Sequence, residues 1–208
     1  MEKIELFLTA HDIQKRIKKL AAEINEFLKT TTNPVIFVGV LKGAFIFLAD
    51  LIRYIDYPIE IDFIQILTTD DDDPMRLKIN SSSSSNFKII SDVTVDLKDK
   101  TVFLVDEIID SGLTYKLCTD HILKKHKPKV LKTVVLLNRY QTVDKAVKID
   151  YVGFNIEKGY VIGYGLDYRN RFRYFPYISF YHSDKIEDIK TQHSNNKKSH
   201  EMIKSLKI

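Results

Sequence analysis

The 208-residue sequence predicts an α/β domain built on a parallel sheet with flanking helices. Two observations carry this. Short, continuously apolar, β-branched runs recur at VIFVGV (35–40), VFLV (102–105) and TVVLL (133–137), the habit of strands buried on both faces. Helical segments alternate with them, as in βαβ units, whose crossovers are right-handed. Ligands bind beyond the carboxyl ends of such strands. The turns after 40, 105 and 137 are therefore where chemistry is expected.

The elements follow in order. Thr9 and Asp12 form a capping box, after which Ile13, Ile17, Leu20, Ile24 and Leu28 recur at helical spacing, predicting an amphipathic helix over 10–29. Asn33-Pro34 breaks the chain before the strand at 35–40. Leu41-Lys42-Gly43 forms a turn into an apolar helix over 44–55, and IEIDFIQIL (59–67) reads as a strand. The patches Asp70–Asp73 and Ser81–Ser85 cannot pack a core, which marks 68–98 as a candidate mobile loop. The strand at 102–105 feeds a Gly-containing turn and a helix to about Lys125. TVVLL and YVGF (151–154) complete the strand set. Residues 1–183 make up the expected domain, and 184–208 a polar C-terminal extension.

Composition excludes several classes. Hydrophobic residues at 44% and charged residues at 29% give an ordinary globular balance. The net charge is 32 − 28 = +4, with the basic residues dispersed. This argues against nucleic acid as a partner and leaves anionic small molecules. The single cysteine, Cys118, excludes a disulfide framework and a cysteine zinc site, so a reducing, cytoplasmic location is expected. No apolar run approaches the ~20 residues of a membrane span, and the N-terminal stretch carries no signal-peptide pattern.

The strongest chemical signal is Asp106-Glu107-Ile108-Ile109-Asp110-Ser111-Gly112-Leu113-Thr114. Gly112 permits a tight turn. Free N–H groups and the dipole at a helix start favour an anion, and Ser111 and Thr114 add hydroxyl donors. Asp106 and Glu107 suit a vicinal diol or a magnesium ion. Asp110 is placed to take a proton from a nucleobase. The bland alternative is a helix N-terminus whose acids serve its dipole. Three acids after a buried apolar strand, followed by S-G-x-T, exceed what that requires.

The segment VFLVDEIIDSGLT (102–114) resembles the phosphoribosyl pyrophosphate (PRPP) motif of the type I phosphoribosyltransferases. The resemblance covers about residues 35–180 and implies that family's parallel sheet, flanking helices and small hood subdomain. VGVLKGAFIFLADL (38–51) is similar to the pyrophosphate loop of the hypoxanthine-guanine branch, with Lys42 and Gly43 at its tip. This implies a cis peptide between Leu41 and Lys42 that turns a backbone N–H toward pyrophosphate. YVGFNIEKGYVIGYGLDYRNRFR (151–173) resembles the same branch. There Tyr160 would stack on the purine, the Val161 backbone would read its edge, Asp167 would bind a second magnesium and Arg173 would meet pyrophosphate. An aromatic platform and a bidentate arginine suit those tasks on chemical grounds as well.

Three departures stand out. Ala44 replaces the usual glycine. Arg139, in LLNRY (136–140), replaces the lysine that donates to the six-position oxygen of the purine, which changes reach and shape. No tyrosine lies between Leu67 and Asp99, where the family carries a Ser-Tyr pair. The resemblance implies transfer of 5-phosphoribosyl from PRPP to hypoxanthine or guanine, with xanthine open, using Mg2+, in a homodimer or homotetramer. The apolar helix at 44–55 is a candidate interface. A non-catalytic PRPP-sensing regulator on the same fold is the competing reading, together with a xanthine- or adenine-specific enzyme.

Overall fold

A computed structural model describes residues 3–68, 87–110, 112–139, 148–157 and 159–182. The Asp70–Asp73 and Ser81–Ser85 patches, Ser111, the Leu113 side chain and the extension from 184 lie outside the described residues.

Six strands form the main sheet. They are β2 (Val35–Leu41), β3 (Ile59–Thr68), β4 (Phe87–Ser91), β5 (Thr101–Ile109), β6 (Val130–Asn138) and β7 (Tyr151–Asn155), in the order β4-β3-β2-β5-β6-β7. All neighbours are parallel except β3 and β4. The central strands β2 and β5 are buried through most of their length, as their unbroken apolar runs require. A separate antiparallel sheet in the order β1-β9-β8 is the expected hood: β1 (Lys3–Leu8), β8 (Val161–Ile162) and β9 (Ile178–His182).

Helix α1 (Ala10–Leu28) starts at the expected capping box: Thr9 Oγ1 accepts from Asp12 N at 3.1 Å, and Thr9 N donates to Asp12 Oδ2. Its apolar stripe from Ile13 to Leu28 packs on one sheet face with the stacked rings of Phe37 and Phe103, 4.7 Å apart. Helix α2 (Phe45–Leu51) buries Phe47, Leu48 and Leu51 in the same cluster and ends in a 3-10 turn, Ile52–Tyr54. Helix α3 (Leu113–His121) covers the other face through Cys118 and, beyond its end, Ile122. Burial, and then the charge of Asp106, push the Cys118 thiol up, which removes it as a nucleophile.

The elements differ from expectation in three places. β5 does not stop at Val105 but runs to Ile109, because Asp106, Ile108 and Ile109 keep parallel register with Val135, Leu137 and Asn138. The expected loop at 68–98 contains β4, an antiparallel edge strand on β3. The hood strands β1, β8 and β9 were not individually expected. The hood is tied to the helices through Asp50 of α2, which accepts from the Tyr164 hydroxyl and from Gln14 of α1.

Candidate active site

The carboxyl ends of β2, β5 and β6 meet the hood at a cavity of about 320 Å³. Every candidate residue whose side chain is described lines it. From the β2 turn come Lys42 and Gly43, and from β5 and the turn after it Asp106, Glu107, Asp110, Gly112 and Thr114. Arg139 enters beyond β6, and the hood contributes Tyr160, Val161, Asp167 and Arg173.

On the sheet side, charge is buried. Asp106 is only 6% exposed, and its Oδ1 accepts from Glu107 N at 2.9 Å. Burial, then the charge of Glu107, push the Asp106 carboxyl well above the usual carboxylate range. Glu107 is raised too, chiefly by burial, with Asp106 hydrogen bonding and the Arg173 charge acting against the rise. The Arg173 charge offsets this only in part, and an oxygen-seeking dication or the donors of a diol would relieve the pair further.

The Glu107 carboxylate lies directly over Gly43, so a Cβ at position 43 would collide with both its oxygens. Gly165 abuts the Gly43 carbonyl in the same way and holds a φ of +97°. The joint between β2 turn and hood therefore closes only with these two glycines. The Leu41–Lys42 peptide is cis, as the resemblance implied. Lys42 is exposed and makes no ion pair among the described residues.

Gly112 opens α3 from a φ of +83°, and no side chain caps the helix there. The first-turn N–H groups and Thr114 thus face the cavity as an anion cradle. Arg139 is 6% exposed, and its Nε lies 3.1 Å from Asp110 Oδ1. The expected purine donor is therefore ion-paired with the expected base, a contact that sequence reading did not anticipate. The Arg139 backbone N–H also bonds Ile109 O, which joins the two strand ends.

The hood side is paired within itself. Arg173 Nη2 meets Asp167 Oδ1 at 2.8 Å, and its Nη1 donates to Gly165 O at 2.7 Å. Asn170 N donates to Asp167 Oδ2 at 2.6 Å. The Tyr160 hydroxyl donates to Asp167 O at 2.8 Å, fixing the ring edge-on to Tyr168. Val161 sits in β8, opposite Phe180 of β9. A lining residue not singled out beforehand is Tyr115, whose hydroxyl donates to Lys148 O. Nothing in the local sequence marks it.

A family model described as a phosphoribosyl transferase domain matches residues 5–169. The hypoxanthine-guanine phosphoribosyltransferase of Aquifex aeolicus is 40% identical over 177 residues, covering 85% of this chain and 94% of the relative. The structure of a hypoxanthine-guanine phosphoribosyltransferase from Bacillus anthracis matches with a TM-score of 0.74 and 32% identity, covering 88% of this chain and 100% of that one. The hypoxanthine phosphoribosyltransferase of Trypanosoma cruzi in complex with the product IMP matches at 0.73 and 30%, covering 85% and 92%.

Proposed function

The chain belongs to the phosphoribosyl transferase family, and we propose on that premise how its cavity carries out the family's reaction. It is a purine-salvage enzyme of the hypoxanthine-guanine kind, a pentosyltransferase that moves 5-phosphoribosyl from PRPP to hypoxanthine or guanine and releases pyrophosphate. The alternative of a non-catalytic regulator finds no support among these relatives. The observation that carries the site reading is the convergence of the buried acid pair, the α3 anion cradle and the Asp110–Arg139 pair on one cavity.

In this reading the bond from the ribose anomeric carbon to pyrophosphate breaks as a purine ring nitrogen bonds that carbon. The ring proton passes to the Asp110 carboxylate, which Arg139 holds in position. Gly112, Thr114, Ser111 and the Leu113 backbone fix the 5′-phosphate. Asp106 and Glu107 accept from the ribose hydroxyls. Lys42 and Arg173 offset charge on the departing pyrophosphate, and the N–H at the Leu41–Lys42 peptide adds a donor. Arg173 already touches Asp167, so it reaches pyrophosphate by bridging from that carboxylate. Tyr160 offers its face to the base, and the Val161 backbone reads the base edge. The cavity walls exclude water from a cation-like centre that water would hydrolyse.

The oxygen-rich set of Asp106, Glu107 and Asp167 fits Mg2+, and the raised, buried pair supports this reading. Bound there, Mg2+ would supply charge neutralisation to the phosphoryl oxygens. A homodimer or homotetramer fits the exposed apolar side chains of Ile61, Phe63 and Ile90, and sedimentation of the full chain tests it. No described helix is long and apolar enough to cross a membrane. A cytoplasmic location suits substrates that are a sugar phosphate and a free base.

Incubation with PRPP, Mg2+ and each of hypoxanthine, guanine, xanthine and adenine tests the assignment. Nucleotide from hypoxanthine and guanine is the expected result. Product from adenine or xanthine alone would overturn the base assignment. No product from protein that still binds PRPP would overturn catalysis.

A further inference from the structure

Away from the cavity, a second polar cluster gathers around Asp92, the residue that follows β4. His121 Nε2 lies 2.9 Å from Asp92 Oδ2, and His126 Nε2 lies 3.1 Å from Oδ1. Lys125 Nζ donates to Oδ2 at 2.6 Å. One ligand atom from each of Asp92, His121 and His126 falls within 4.8 Å of the others. The two imidazole rings meet edge to face, 5.5 Å apart.

The backbone explains how two histidines five positions apart come together. In an α-helix, residues i and i+5 stand roughly 140° apart around the axis. Here α3 ends at His121 and the chain continues as a π turn over Ile122–His126, closed by Lys127 N donating to Ile122 O at 3.2 Å. The wider turn puts both rings on the side that faces Asp92. Insertions of this kind recur at functional sites. The reaction assigned above uses none of these residues.

We propose that Asp92, His121 and His126 form a binding site for a first-row transition-metal dication of the zinc type. Two imidazoles and a carboxylate are a donor set that suits such ions. Bond lengths of about 2.0–2.2 Å around a tetrahedral ion place ligand atoms roughly 3.3 Å apart. The two separations from Asp92, 2.9 and 3.1 Å, need to open by only a few tenths of an ångström, and the ligand atoms of the two histidines lie within 4.8 Å of each other. The Lys125 side chain is 60% exposed and swings into solvent when the ion enters, leaving water as the fourth ligand. The three side chains are 15–23% exposed, which keeps an entry path open. The bound ion fastens the chain after β4 to the end of the helix that begins at Gly112.

The test is calorimetric titration of Zn2+ into metal-free full-length protein with Mg2+ in excess, with Co2+ as the spectroscopic probe. One equivalent of Zn2+ should bind, and Co2+ should give the absorption of a four- or five-coordinate nitrogen-ligated ion. His121→Gln and His126→Gln keep a polar contact to Asp92 and should each weaken Zn2+ binding at least about tenfold, since even outer-shell substitutions do so. Their unfolding temperatures without metal should stay near that of the parent, so the proposal does not hang on whether Asp92→Asn folds. Glu107→Gln should bind Zn2+ as the parent does. Failure of the parent to bind, unchanged affinity in both histidine variants, or loss of binding in Glu107→Gln would each overturn the proposal.

Discussion

On the sheet side of the cavity, Asp106 stands buried and Glu107 half-buried beside it, both pushed above the ordinary carboxylate range. On the hood side, Asp167 is held by the Arg173 guanidinium and the Asn170 N–H. The first wall carries a charge burden that Arg173 offsets only in part, whereas the second is paired within itself and must share its partners when a ligand arrives. Support divides likewise: the acids sit where β5 runs on beside β6, past the end of its pairing with β2, and the hood residues on turns that bond to one another. The sheet wall is thus built to grip the sugar phosphate, and the hood wall to admit and orient the base.

The largest expected effect falls on the sheet side, where Asp110 meets Arg139. Asp110→Asn keeps the shape and removes the proton acceptor, so kcat should fall by about 10²–10⁴ with PRPP affinity little changed. Near-normal turnover would remove Asp110 from the role of base.

Gly43→Ala should come next. The new methyl displaces the Glu107 carboxylate, and a displacement of about 1 Å costs roughly 10²-fold in kcat/KM. The loss should fall on PRPP rather than on the base, which initial-rate kinetics with each substrate varied will separate.

Arg139→Lys sharpens the comparison at the end of β6, on the sheet side. It keeps the charge but loses the planar fork, and should shift the guanine-to-hypoxanthine ratio of kcat/KM by up to about tenfold, roughly 1.4 kcal/mol. An unchanged ratio with a lowered unfolding temperature would make Arg139 a structural partner of Asp110 only.

The part of the site that follows one strand was legible in the sequence, because an apolar run ending in acids and S-G-x-T declares itself locally. What was not legible depends on partners distant in the chain. β1 pairs Lys3 with His182, so neither strand carries its own signal. β4 is a short edge strand beside a serine-rich patch, where composition speaks for a loop. The end of β5 was set four residues early because Asp106 and Glu107 read as turn residues, while the register of Asp106, Ile108 and Ile109 with β6 keeps the segment extended. The Arg139–Asp110 contact joins positions 29 apart that only the folded sheet brings together. Gly43 was singled out as a turn residue, but its reason, the Glu107 carboxylate above it, is tertiary.

The contrast between the walls is tested most directly by Asp106→Asn, followed by unfolding temperature and activity over pH. A carboxyl whose folded pKa is raised destabilises the fold as pH climbs above about 4, the value in the unfolded chain, and imposes nothing below it. Asparagine keeps the acceptor for Glu107 N and removes that charge. The ligand-free variant should therefore unfold at a higher temperature than the parent at pH 7, with the gain vanishing toward pH 4, while kcat/KM for PRPP falls. A variant that is less stable than the parent at pH 7 would contradict the account, because Asp106 would then be a structural acid and not one held in reserve for substrate.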